Sequence, residues 1–255
     1  MSHADTPPKN GRILQLAYLP NGSFVLQVLG RLHASKNPRV KALATVWVKE
    51  GLGDLASSVS TKVSMLSLLA ERLSGSTTPL ILELLGDANA QAAYVERRSW
   101  VPRDRQLPFR VLLDVDSFIF EFRSAYEILG KFLGRFFELI LNQRIKELEI
   151  KARLQADGVD MTWADQLQAH RKDFFHGQAP WLAVRITDET TFAPELLILS
   201  HAGANPADAE AVIPFTRLLE IYAGMDASLR RLYEWLIVEI ECLESRVWPR
   251  HSHAR

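Results

Sequence analysis

Arg171 and His176 stand five positions apart in Gln168-Ala-His-Arg-Lys-Asp-Phe-Phe-His176-Gly177, a stretch that also carries His170, Lys172 and Asp173. An imidazole can take up a proton near neutral pH, and a guanidinium forks onto phosphate oxygens, so this pair suits acid–base chemistry at a phosphate ester. Asp173 is placed to orient an imidazole or to pair with Arg171. Gly177 and Pro180 follow in the order that usually closes a helix, and free carbonyls at such an end favour a cationic imidazole. Five residues along an ideal helix turn through about 140°, so one chain does not put both side chains on one stripe. They converge on one phosphate if the helix loosens at Phe175, or if two copies of the chain meet. The competing reading of the same segment is structural, with Arg171 in surface ion pairs and His176 capping the helix. A second Arg-x4-His pair, Arg246 and His251, spans Pro249 in the C-terminal tail and reads as a coincidence of a short pattern.

Other chemistries lack their residues. No GxGxxG or GxxxxGK[ST] loop is present to cradle a nucleotide, and HExxH, the EF-hand loop and GxSxG are absent as well. His170 and His176 are six apart and lack the one-face spacing of a metal pair, so neither a metal nor a cofactor is expected. The single cysteine, Cys242, lies in an apolar helical pattern and reads as a buried, inert thiol in a reducing compartment. The chain has 255 residues, with thirty basic side chains balancing thirty acidic ones, so no global field draws in nucleic acid; any such contact needs a local patch. The polar N-terminus has no apolar signal core and no run reaches membrane-spanning length, which points to a cytoplasmic protein with no membrane partner.

The elements that would position the pair follow from periodicity. Residues 1–10 read as a disordered tail and 248–255 as a loose one. Apolar runs at 13–19 and 24–29 flank Pro20-Asn21-Gly22, which favours a hairpin over two short helices. Asn37-Pro38 opens a helix, Gly51 and Gly53 stop it, Asp54 caps the next, and Gly75 ends that one. A third helix is expected from Pro79 to about Arg97, with a possible break at Gly86-Asp87. Residues 97–110 interleave five arginines with Trp100. They read first as a solvated loop, and second as an RNA contact through Arg98, Trp100, Arg103 and Arg105. From 111 to 154 no proline occurs, and Val115, Phe118, Phe122, Ala125, Leu129, Phe132, Phe136 and Ile140 make an apolar face wide enough for two neighbours or a dimer partner. Past Gln143 the same helix is expected to run charged into solvent. Thr162 caps a helix carrying Trp163, Leu167 and the Arg171–His176 stretch. Residues 181–187 and 196–200 form a two-stranded hairpin. A last helical region runs from Asn205-Pro206 to about Val247, with Gly224 a possible kink. The expected fold is mainly α, one domain with one or two small β-hairpins.

The long helix, then a helix ending in HRKDFFHG, then a closing amphipathic helix resembles the HEPN superfamily, whose small helical bundles carry an Arg-x(4–6)-His motif near a helix end. The resemblance covers residues 109–247 and leaves 11–108 as a helical N-terminal extension. It implies a metal-independent endoribonuclease. His176 would act on the ribose 2′-hydroxyl as base and Arg171 would steady the phosphate, leaving a 2′,3′-cyclic phosphate and a 5′-hydroxyl. It also implies a homodimer with two motifs lining one cleft, RNA as substrate, and a role as toxin or defence effector that an antitoxin or other protein partner can silence. Glu121 and Arg123, which interrupt the apolar run, become candidates for supporting the motif or for the solvated edge of the bundle. Lys172 departs from the small polar residue common after the arginine. Some members of the superfamily are inactive dimerisation modules that bind RNA or protein, and that is the alternative function.

Overall fold

A computed structural model describes residues 24–167, 180–205, 208 and 211–245. The fold is mainly α with one small three-stranded sheet. Among the described residues three helices come first: α1 (Phe24–Ala34), α2 (Pro38–Lys49) and α3 (Leu52–Gly86). The run at 24–29 is thus helical and no strand of a hairpin. Val28 and Leu32 lie four apart, fully buried, which a helix permits and an alternating strand would not. Residues 13–19 lie outside the described residues. Asn37 caps α2 as expected, its side chain accepting from the Arg39 N–H at 3.0 Å, with Pro38 at the first helical position.

Gly51, with φ at +69°, begins α3 in a conformation that suits glycine, while Asp54 lies in the first turn and does not cap. The helix then runs through both Gly75 and Pro79, where a break is expected from sequence. An internal proline removes one helical hydrogen bond. Here the hydroxyls of Thr77 and Thr78 donate to the carbonyls of Leu73 and Ser74 at 2.8 Å, occupying acceptors just before the gap. Leu73, Leu80 and Leu84 continue the buried stripe across the proline, so packing holds what propensity opposes. The break at Gly86-Asp87 does occur: Asp87 caps the short α4 (Ala88–Val95).

After the loop, α5 (Leu107–Leu139) supplies the centre of the core. Pro108 sits in its first turn, where its missing N–H is no loss. Its broad face is covered within the chain. Phe132 and Phe136 meet Trp47 of α2 edge-on, and α3 makes the most extensive helix pairing with α5. The helix stops at Leu139 and does not run on into solvent. Asn142 turns into the left-handed region (φ 51°) and the Gln143 N–H closes back on the Phe137 carbonyl at 2.8 Å. Then α6 (Glu147–Ala156) packs Ile150 and Leu154 into the core.

A further helix, α7, is described over residues 162–167. The hairpin of β1 (Trp181–Asp188) and β2 (Ala193–Leu199) is antiparallel, with Trp181 opposite Leu199. A third strand, β3 (Val212–Pro214), pairs with β2 and leads straight into α8 (Phe215–Ser245). The last helix therefore starts later than Asn205-Pro206 implies. Gly224 does not divide it. A Cβ there would meet Trp163 side-chain atoms at 3.0 to 3.1 Å, so this glycine lets α7 approach α8 closely. Cys242 is exposed, not buried, because the core face of this part of α8 is taken by Ile240 and Leu243.

These two kinds of helical glycine predict opposite signs. Gly224→Val should lower stability by about 1–3 kcal/mol in urea unfolding, through overpacking against Trp163. Gly134→Ala, inside α5 with open space around its Cβ, should raise it by about 0.5–1 kcal/mol.

Candidate functional site

Five of the residues expected to do chemistry, His170, Arg171, Lys172, Asp173 and His176, lie outside the described residues, as do Arg246 and His251. What is described is the helix that leads into them and the way it is anchored. Asp160 starts α7: its carboxylate accepts from the Thr162 N–H at 2.9 Å, which holds its pKa below the ordinary carboxylate value. The cap is thus Asp160, where the sequence points to Thr162. One residue on, Trp163 is driven into the junction of the two long helices. Its ring meets Phe122 and Tyr126 of α5 edge-on at 5.9 and 5.7 Å, and its indole N–H donates to the Ser228 hydroxyl of α8 at 2.8 Å. Ser228 in turn donates to the Gly224 carbonyl at 2.9 Å. An ion pair between Lys151 and Asp165 ties α6 to the outer side of α7.

Two apolar cavities flank this anchor. One lies among α5, α6, α7 and α8, with Tyr126, Lys151, Trp163 and Ser228 in its wall. The other lies beside Leu167, the last described residue of α7, and is lined by Phe118, Ile119, Phe122, Ile213, Leu218 and Ile221. Among the described residues no group of three or more His, Cys, Asp or Glu is gathered as a metal would need.

The candidate supporting residues have other engagements. Glu121 pairs with Lys62 at 2.5 Å and so stitches α5 to α3. Arg123 pairs with Glu127 one turn along α5 at 2.9 Å. In the loop before α5, Arg98 pairs with Glu96 at 2.5 Å, while Arg103 and Arg105 are exposed. Trp100 is not an open stacking platform. It packs partly against the core and its indole N–H donates to the Asp87 carboxylate at 3.1 Å, the main reason the pKa of Asp87 is lowered.

Ser228, the polar partner of Trp163, carries no motif in the sequence. The available signal is the pair of small residues Gly224 and Ser228, one turn apart on the core face of an otherwise large-residue helix. No family model, curated protein or solved structure matches this chain.

The anchor is testable by a double-mutant cycle. Ser228→Ala should cost about 1–3 kcal/mol by leaving a buried indole N–H without an acceptor. On a Trp163→Phe background the same change should cost much less, and equal costs in urea unfolding would show that the two groups are not coupled.

Proposed function

We propose that the chain is a HEPN-like, metal-independent endoribonuclease working as a homodimer, with Arg171 and His176 in its active site. The observation that carries the reading is the order and anchoring of α5, α7 and α8. The helix entering the Arg171–His176 stretch is locked by Trp163 between two long helices, a rigid base for groups that must be placed to within fractions of an ångström.

In this reading His176 removes the proton from the ribose 2′-hydroxyl, and the 2′-oxygen attacks the adjacent phosphorus. Arg171 stabilises the negative charge that builds on the phosphate oxygens. The bond from phosphorus to the 5′-oxygen breaks and that oxygen takes a proton, giving a 2′,3′-cyclic phosphate and a 5′-hydroxyl. A toxin or defence role, with a silencing protein partner, belongs to the same proposal.

A second reading, a non-catalytic module that binds RNA or protein, is favoured by one feature. Phe109, Leu113 and Phe120 are all well exposed and fall within about 40° of each other on the outer face of α5. A row of that kind marks a contact surface.

Incubation of the purified protein with mixed RNA separates the two. The ribonuclease reading expects cleavage unaffected by chelator and reduced at least about a hundredfold by His176→Ala or Arg171→Ala, in line with loss of general-base or oxyanion assistance. Cleavage that survives His176→Ala would overturn the mechanism. RNA binding without cleavage by the wild type would favour the module.

A further inference from the structure

The loop between α4 and α5 separates its charges by task. Its acidic neighbours are turned onto the loop's own frame: Glu83 accepts from the Arg103 N–H, Asp87 from the Trp100 indole, and Asp104 from the Gln106 N–H at 2.9 Å. Arg97 takes a left-handed conformation (φ 55°), and the Arg98 N–H closes on the Ala93 carbonyl at 2.8 Å, which fixes how the chain leaves α4. The loop is therefore braced at several points. Its arginines are less committed. Arg98 and Arg110 have carboxylate partners, at 2.5 and 3.6 Å, whereas the guanidinium groups of Arg97 and Arg105 have none among the described residues. The Arg103 guanidinium likewise has no carboxylate partner among the described residues. Four residues after Arg105, the ring of Phe109 is 73% exposed and touches no other ring among the described residues.

Three exposed guanidinium groups on a braced frame, with an exposed aromatic ring in the first turn of the helix that follows, match what a single-stranded nucleic acid offers: phosphates to fork onto and a base to stack. An acidic peptide would satisfy the arginines but has no flat ring for Phe109. A duplex buries its base faces and offers only phosphates. Pre-bracing also removes the ordering cost that a flexible arginine segment carries into binding.

We propose that residues 96–110 form a binding surface for single-stranded RNA, with Arg97, Arg103 and Arg105 on the phosphates and Phe109 stacked on a base. The assignment of that RNA as substrate rests on the ribonuclease reading; the binding surface does not. From Phe109 to Phe122, on which Trp163 sits, is about 20 Å along α5, so one helix joins this surface to the anchor of α7.

The test uses full-length His176→Ala protein, so that no strand is cut, and the fluorescence anisotropy of a labelled, mixed-sequence, single-stranded RNA 16-mer. Arg97→Gln/Arg103→Gln/Arg105→Gln should weaken binding at least tenfold and flatten the slope of log affinity against log salt by about 2. Phe109→Ala should weaken it about tenfold. A control, Arg217→Gln/Arg230→Gln/Arg231→Gln on α8, should leave binding within twofold, and matched melting curves confirm that each variant is folded. Unchanged affinity in the loop variant, or equal loss in the control, overturns the proposal. So does a poly-glutamate peptide or duplex RNA that binds as tightly through the same arginines, and tighter loop-dependent binding of single-stranded DNA overturns the choice of RNA. Loop-dependent binding to a wild type that cuts no RNA upholds the surface and strikes the ribonuclease reading alone.

Discussion

The apolar face of α5 is wider than one neighbouring helix can cover, and the other elements are arranged to close it from different sides. Phe118, Phe122, Phe132, Phe136 and Phe137 are all buried on this one helix. Their transfer from water contributes on the order of 10 kcal/mol, at roughly 1.5–3 kcal/mol each, against the entropy of ordering the chain. No single partner could reach them all. Trp47 of α2 meets Phe132 and Phe136, Trp163 of α7 meets Phe122, and Tyr222 and Trp235 of α8 meet Phe118 and Phe137. Polar groups on the flank of the face fix register instead. Asp114 and Glu121 pair with Arg72 and Lys62, holding α3 antiparallel along α5.

That arrangement explains why α7 matters although it is short among the described residues. It inserts one large side chain into the junction of α5 and α8, and Gly224 and Ser228 are shaped to receive it. Gly224 leaves room for the ring, and Ser228 supplies the acceptor that a buried indole requires. Leu167, the last described residue of α7, precedes the Arg171–His176 stretch in the sequence by four residues.

Much of the fold was legible because it rests on local signals. Asn37-Pro38 reads as a helix start and Gly86-Asp87 as a candidate break, and the broad stripe of α5 calls for two neighbours or a dimer partner. Local signals fail where a tertiary contact outweighs them. Gly75 and Pro79 suggest a stop, but buried Leu73, Leu80 and Leu84 carry α3 through it. The absence of proline between 111 and 154 implied one long helix, yet a single left-handed residue, Asn142, ends α5 and returns α6 to the core. The strand at 212–214 is too short for alternation to register. Of the candidate site, the pattern of Arg171 and His176 was visible in the sequence, but its anchor was not, since Trp163 and Ser228 are joined only by folding. Trp100 shows the reverse: it looks like a stacking residue in the sequence, and the fold commits it to Asp87.

The central claim, that this scaffold presents a ribonuclease acting through the ribose 2′-hydroxyl, is tested most directly by comparing two substrates of one sequence. One is ordinary RNA and the other is fully 2′-O-methylated, each incubated with the wild-type chain and chelator, with the product ends analysed. Only ordinary RNA should be cut, and its upstream fragments should end in a 2′,3′-cyclic phosphate. Cleavage of the methylated strand at a similar rate, or of neither strand, would contradict it.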